Sequence, residues 1–288
     1  MRMGLGTAQF GLNYGVSNTE GQVQQHEVEK MLDFALKNSV DLLDTAISYG
    51  SSEHCLGRAG VADFKVITKL PPVPDFCENI DQWVAEQLAS SKNRIGIDVL
   101  HGLLLHKPSD LLGSSGKRLY DALDKYRERG EILNLGISIY SPQDLELIDG
   151  KYGIDIVQTP FNLIDQRLLL SGWLDKLKGR GIEVHARSIF LQGLLLMDEV
   201  SMPSKFYRWS DLWSRWYKWQ FYNEVSAIQA CISFVLGIEG IDRVIVGANS
   251  LSELEQITFA YSNEFSGPFP DIASDDEMLV NPSNWRDL

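Results

Sequence analysis

The stretch Leu42-Leu-Asp-Thr-Ala-Ile-Ser-Tyr-Gly50 decides how this chain is read. It opens as a short apolar run, stops at an ionisable residue, Asp44, and turns at Ser48-Tyr-Gly50. Two further segments repeat the form. Val66-Ile-Thr-Lys69 ends on Lys69, and Leu103-Leu-Leu-His106 ends on His106. Short apolar runs bounded by turn signals are the mark of strands buried on both faces, as in a parallel sheet. Three of them, each stopping at a reactive side chain, read as barrel strands delivering chemistry to one rim.

Outward from these three, the same alternation fills the chain. Strand candidates are Met3–Thr7, Leu42–Thr45, Val66–Lys69, Val99–Leu105, Leu133–Ser138, Ile156–Thr159, Val184–Ser188 and Arg243–Val246. Amphipathic helices separate them. Val28, Met31, Leu32, Ala35 and Leu36 recur at helical spacing as one stripe. Other helices are expected at Ser52–Ala59, Asn79–Arg94, Lys117–Arg129, Asp144–Tyr152, Leu168–Arg180, Asn223–Val235 and Leu251–Tyr261. Eight strand–helix units predict an α/β chain folded as a single (β/α)8 TIM barrel over residues 1–288. The competing open doubly wound sheet needs a glycine fingerprint after a strand, and Gly4-Leu-Gly6-Thr-Ala-Gln lacks its third glycine.

Composition narrows the function. An apolar fraction of 44% supports a sizeable core, and no run approaches the ~18 apolar residues of a membrane helix. The start, Met1-Arg-Met-Gly-Leu-Gly6, enters a strand directly and has no leader-like apolar region, so a cytoplasmic protein with no membrane partner is expected. The net charge of −13 carries no basic patch, which argues against nucleic acid. Cys55, Cys77 and Cys231 are odd in number and far apart, which suggests neither a disulfide framework nor a metal site. Oligomeric state leaves no mark in the sequence.

Two regions depart from the alternation. Ser201–Tyr222 is crowded with aromatics, among them Phe206, Trp209, Trp213, Trp216 and Trp219. It reads either as a helix packed on the barrel wall or as a wall near the active-site mouth, where aromatics stack on a substrate. Pro268–Leu288, rich in Pro and Asp, reads as an extended cover segment.

Barrel active sites lie at the C-terminal ends of the strands, so Asp44, Tyr49, Lys69 and His106 would meet at one corner. Singly, each has an ordinary reading: a capping aspartate, a solvated lysine, a loop histidine. Their placement on successive strand ends sets them apart. An ammonium beside a phenol stabilises the phenolate and is expected to lower its pKa from near 10. Asp44 would anchor Lys69, and His106 would hydrogen-bond a carbonyl or relay a proton. The set fits proton transfer to an oxygen gaining negative charge. None of the four donates hydride, so a nicotinamide cofactor is inferred.

On these residues the chain resembles the aldo-keto reductase superfamily. The matching pieces are Leu43-Asp-Thr-Ala-x-x-Tyr-Gly50, Ile67-Thr-Lys69, Leu104-Leu-His106, Gly136-Ile-Ser138, Val157-Gln-Thr-Pro-Phe-Asn162 and Val246-Gly-Ala248. The resemblance implies a tetrad of Asp44, Tyr49, Lys69 and His106 as catalytic residues, with hydride passing between a nicotinamide and a small carbonyl or alcohol. It implies that Ser138 and Gln158 hold the carboxamide. Ile139 stands where many members have Asn. After the seventh strand, where an aromatic often stacks on nicotinamide, this chain has Arg187-Ser188; the guanidinium either stacks there or forms a salt bridge. Gly247, Asn249, Ser250 and Glu253 would meet the far end of the cofactor. Gly247 replaces a common Lys and Glu253 a common Arg, which turns the choice between NAD(H) and NADP(H) toward NAD(H) or dual use. Ser250-Leu-Ser-Glu253 also reads as a capping box.

The pattern Ala186-Arg-Ser-x-x-Leu-Gln-Gly193 resembles bacterial members associated with sugar and surface-polysaccharide metabolism, so a sugar carbonyl is the first expectation for the substrate and general aldehydes the second. Two alternatives share the scaffold: a sugar or alcohol dehydrogenase working toward oxidation, and a cofactor-binding regulatory subunit with little turnover.

Overall fold

A computed structural model describes residues 1–288. Eight parallel strands close into a barrel in sequence order. They are β1 (Met3–Gly6), β2 (Leu42–Asp44), β3 (Lys65–Leu70), β4 (Gly102–Leu105), β5 (Leu135–Ser138), β6 (Ile156–Pro160), β7 (Glu183–Arg187) and β8 (Arg243–Gly247). β1 pairs with β8 through Leu5↔Val246 and Gly6↔Gly247, which closes the ring.

The barrel interior is plugged by a small cluster of Leu42, Ile67, Leu104, Ile156 and Ile245, separate from the 70-residue core outside. Gly4 and Gly102 also face inward, since a Cβ on either would meet these plug side chains. Side chains on a strand alternate with period two. Two residues on from each plug residue therefore stands another inward-facing position, one layer nearer the C-terminal rim. Those residues are Asp44, Lys69, His106, Gln158 and Gly247. The plug fixes the register, and the register fixes what faces the rim.

Outside, helices bury one face each against the barrel. In the Gln25–Lys37 helix, Val28, Met31, Leu32 and Ala35 are buried as their spacing predicts, while Leu36 is exposed. The helix Ser52–Ala59 has the expected bounds. Others shift. β4 begins at Gly102 because Val99 is exposed and Leu100 makes only an isolated bridge to Ile132. The expected Leu168–Arg180 helix is broken at Gly172, whose φ of +76° ends one short helix and starts another.

The aromatic segment forms a 3₁₀ turn at Ser204–Trp209 and a helix at Ser210–Asn223. Its indole N–H groups donate to the carbonyls of Phe206, Leu195 and Pro268, from Trp213, Trp216 and Trp219. The tail is tied to it: the Trp209 indole donates to Asp276, and Arg215 and Lys205 to the carbonyls of Asp271 and Trp285. No helix is long and apolar enough to cross a membrane.

Candidate active site

A cavity of about 450 Å³ opens at the C-terminal rim, within the range of small-molecule sites. One end holds Asp44, Tyr49 and His106; the other holds Gly247, Asn249, Glu253 and Gln256. Its lining runs from Asp44, Tyr49 and His106 to the start of the Leu251–Ser262 helix.

Below the tetrad end lies a buried ion pair. Lys69 Nζ is 2.7 Å from Asp44 Oδ2, with side chains 1% and 6% exposed. Lys69 also donates to the carbonyl of Thr45 at 2.9 Å. The other Asp44 oxygen, Oδ1, accepts from Gln158 Nε2 at 2.7 Å, and Ser138 Oγ donates to Gln158 Oε1 at 3.4 Å. Gln158 is thus committed to Asp44 and does not line the cavity, whereas Ser138 does. Paired and hydrogen-bonded in this way, the two charges are held away from water.

Tyr49 comes from the loop after β2. That loop lies directly on the short Ala8–Gly11 helix after β1: a Cβ on Gly11 would stand 1.8 Å from the Tyr49 carbonyl, and one on Gly50 would stand 2.3 Å from the Gly11 carbonyl. Two glycines therefore let the backbones touch, and Gly50 also supplies the turn's φ of +55°. Lys69 Nζ lies 5.1 Å from the Tyr49 ring centroid, and the His106 ring meets Tyr49 edge-on at 6.0 Å. Ser48 Oγ is 3.2 Å from His106 Nδ1.

The electrostatics correct one expectation. The Tyr49 phenol is pushed above its ordinary value, by burial first and by the Asp44 carboxylate second. Proximity to Lys69 does not lower it, because Asp44 neutralises that ammonium at contact distance. Burial pulls the Lys69 ammonium down, against the opposing pull of Asp44. His106 is lowered to about 4, by burial and then by the charges of Lys69 and Arg187, so its ring is neutral at pH 7.

Arg187 makes no salt bridge. Its guanidinium lies 4.7 Å from the Tyr140 ring centroid and donates to the carbonyl of Ile139 and to Ser188 Oγ. The salt-bridge alternative for this residue is thereby removed. Ile139 is fully buried and offers only that carbonyl. Ser188 lines the cavity with a φ of +56°.

At the far end, Ser250 caps the Leu251–Ser262 helix by accepting from Glu253 N–H at 3.2 Å. Glu253 reaches back one residue beyond the cap, accepting from Asn249 N–H at 2.7 Å and from Asn249 Nδ2 at 3.1 Å. Asn249, Glu253 and Gly247 line the cavity; Ser250 does not. A side chain at Gly247 would collide with Gln9, whose Nε2 lies 2.6 Å from the position of an added Cβ. Asn249 Oδ1 is buried without a partner, a free acceptor at this end.

Several cavity residues escaped the sequence reading: Gln9, Tyr14, Ser48, Tyr140 and Gln256. Gln9 and Tyr140 lie within three residues of the ends of β1 and β5, a signal that finds them. Tyr14 and Gln256 lie deeper in a loop and a helix, where no periodicity marks them. No residue of 201–222 or 268–288 lines the cavity; the Trp216 indole instead braces the carbonyl of Leu195, next to the lining residue Leu196.

Known proteins are similar to this chain in sequence and in fold. The model of the Aldo/keto reductase family matches residues 2–268. A glyoxal reductase of Bacillus subtilis (strain 168) is 30% identical over 196 residues, 66% of each chain. An aldo-keto reductase of Mycolicibacterium smegmatis is 31% identical over 136 residues, 44% of this chain and 45% of the relative. The chain therefore matches just under two thirds of the first relative's length and less than half of the second's. An L-glyceraldehyde 3-phosphate reductase of Escherichia coli O157:H7 is 24% identical over 295 residues, 88% of this chain and 84% of the relative. Among solved structures, an aldo-keto reductase from Bacillus halodurans in its holo form superposes with a TM-score of 0.71 at 17% identity, covering 93% and 88% of the two chains. An aldo/keto reductase from Klebsiella pneumoniae in complex with NADP and acetate gives 0.67 at 17% identity, covering 92% and 87%. At such identity these likenesses show the fold.

Proposed function

We propose that this chain, which belongs to the aldo/keto reductase family, reduces the carbonyl of a small aldehyde or ketone with Tyr49 as the proton donor. One observation carries the reading: the buried Lys69–Asp44 pair at 2.7 Å, set beside the Tyr49 ring in a cavity long enough to reach the Leu251–Ser262 helix. Aldo-keto reductases use nicotinamide cofactors. When bound, the reduced nicotinamide supplies the hydride for the carbonyl carbon.

The residues present fit such a cofactor. Ser138, Arg187 and Ser188 would hold its nicotinamide end, while Gln158 acts one step back by fixing Asp44. Gly247, Asn249 and Glu253 would hold its adenosine end, where the unpartnered Asn249 Oδ1 is an acceptor for a ribose hydroxyl or an adenine amino group. Ser250 shapes that end as the helix cap.

The chain's own groups handle the proton. Tyr49 stays protonated at neutral pH, and as its proton moves to the substrate oxygen the Arg187 guanidinium, which draws the phenol down, is the cation that favours the phenolate left behind. Asp44 keeps Lys69 in place. Ser48 holds Nδ1 of neutral His106, and its Nε2 is the group that donates to the carbonyl oxygen and orients it. A phenol raised above its ordinary value starts as an acid, as the reduction requires of Tyr49. The names of two relatives, a glyoxal reductase and an L-glyceraldehyde 3-phosphate reductase, support small aldehydes, including sugar aldehydes, as the substrate class.

For the cofactor, Gly247 and Glu253 support NAD(H) or dual use, since neither offers a cation to a 2′-phosphate.

The test is turnover of an aldehyde and sugar panel, read by nicotinamide absorbance with NADH and NADPH, in the wild type and in Tyr49→Phe. We expect Tyr49→Phe to lose at least about a hundredfold in kcat with nucleotide binding, read by tryptophan fluorescence, unchanged. A Tyr49→Phe protein that turns over like the wild type sinks the reading.

A further inference from the structure

Two of the protein's own carboxylates bind N–H groups at the start of the Leu251–Ser262 helix. Helix N-termini bind anions because their first N–H groups are free and the helix dipole is positive there. Here two of those groups, and the N–H just before the cap, are occupied. Glu253 N–H donates to Ser250 Oγ at 3.2 Å, and Asn249 N–H to the Glu253 carboxylate at 2.7 Å. Leu251 N–H, the first of the helix proper, donates to Glu27 Oε1 at 2.8 Å. Glu27 belongs to the Gln25–Lys37 helix, 224 residues away in sequence. Ser250 already caps the helix, so this second, distant carboxylate is more than a local cap requires.

Charge follows geometry. The bond from Leu251 N–H draws the Glu27 carboxyl below its usual range, so it is ionised at neutral pH. Its other oxygen lies 3.4 Å from Lys30, an exposed ammonium held toward Glu27. Two carboxylates thus stand near the end of the cavity where the adenosine half of a dinucleotide would lie: Glu253 in its lining, and Glu27 behind it on Leu251 N–H. The only Arg or Lys lining the cavity is Arg187, from the opposite, tetrad-side wall.

We infer that Glu27 is a cofactor-specificity residue, which, together with Glu253, excludes a 2′-phosphate and selects NAD(H). The inference rests on the nicotinamide reading of the cavity. A 2′-phosphate brought to this end would meet like charge, with the N–H groups of Leu251 and Glu253 already taken. A 2′-hydroxyl can donate to a carboxylate and carries no charge to repel.

The experiment measures binding. Dissociation constants for NAD⁺ and NADP⁺ are taken from quenching of tryptophan fluorescence. Those for adenosine 5′-monophosphate and adenosine 2′,5′-bisphosphate are taken by calorimetry. The proteins are the wild type, Glu27→Gln, Glu253→Gln and the double variant. Gln keeps an acceptor for Leu251 N–H and removes the charge, so the cap survives. The wild type is expected to prefer NAD⁺ and the monophosphate. Glu27→Gln should improve the 2′-phosphorylated ligands about tenfold relative to their partners, as removal of one nearby like charge implies, and the double variant more. An unchanged ratio in Glu27→Gln, or a wild type that prefers NADP⁺, overturns the inference and leaves the reductase reading standing. Failure of both dinucleotides to bind the wild type overturns the two together.

Discussion

At the scale of single residues, the Lys69–Asp44 pair is the least forgiving feature of the molecule. Both charges lie out of water, so their desolvation is offset only by their contact and by the bonds to Thr45 and Gln158. Removing one partner strands the other. Lys69→Met or Asp44→Leu should each cost about 3–5 kcal/mol of stability in urea denaturation. The double variant should cost less than either single change, because no unpaired charge remains. If the double change costs the sum of the singles, the pair is not coupled and the account of its burial is wrong. The identities of Asp44, Lys69, Tyr49 and His106 were legible because each ends or closely follows an apolar run. Their charge states were not. Whether Lys69 lowers the Tyr49 phenol depends on how closely Asp44 neutralises the ammonium, and that is a matter of ångströms between strands.

Among elements, period two did most of the work. Once Leu42, Ile67, Leu104, Ile156 and Ile245 are seen as one interior plug, the residues two places on must face the rim. This is why the strands were legible and why the tetrad end of the site came with them. The far end of the cavity was only partly legible. Gly247, Asn249, Ser250 and Glu253 lie next to a strand end, but Glu27 reaches them across 224 residues, from a helix whose sequence marks only its buried stripe. The Tyr49 loop likewise depends on a contact between elements. Gly11 and Gly50 let the backbones after β1 and β2 touch, and an alanine at Gly11 would drive its Cβ to 1.8 Å from the Tyr49 carbonyl. The loop must move. Gly11→Ala should reduce kcat/KM by one to two orders of magnitude, on the order of the ~10²-fold cost of a 1 Å misplacement. Its nucleotide dissociation constants should change much less, because the end of the cavity at Asn249 and Glu253 is untouched. Steady-state kinetics beside fluorescence titration checks this, and wild-type kcat/KM in Gly11→Ala would show that the contact does not position Tyr49.

For the molecule as a whole, the tail beyond the barrel is part of the core. Ile272, Leu279, Val280 and Trp285 are buried, and Trp285 meets Phe206 edge-on at 4.9 Å. Arg167 binds both Asp165 and Glu277, and Ser274 N–H donates to the carbonyl of Ile164, so the tail also fastens the loop after β6. A Pro- and Asp-rich composition hid this, because the apolar anchors are single residues without periodicity. Each large buried side chain is worth roughly 1.5–3 kcal/mol, and a whole domain is stable by only about 5–15 kcal/mol. Ending the chain at Gly267 removes four such anchors and uncovers Phe206, Trp209 and Trp219. The shortened protein should lose most of its stability, expose an apolar face and aggregate on expression. If enough stays soluble, its tryptophan emission should shift to the red and its thermal transition should broaden or vanish. A soluble shortened chain that melts sharply within a few degrees of the full protein would mean that the barrel and the Ser210–Asn223 helix close their own core, with the tail lying on the surface as an ornament.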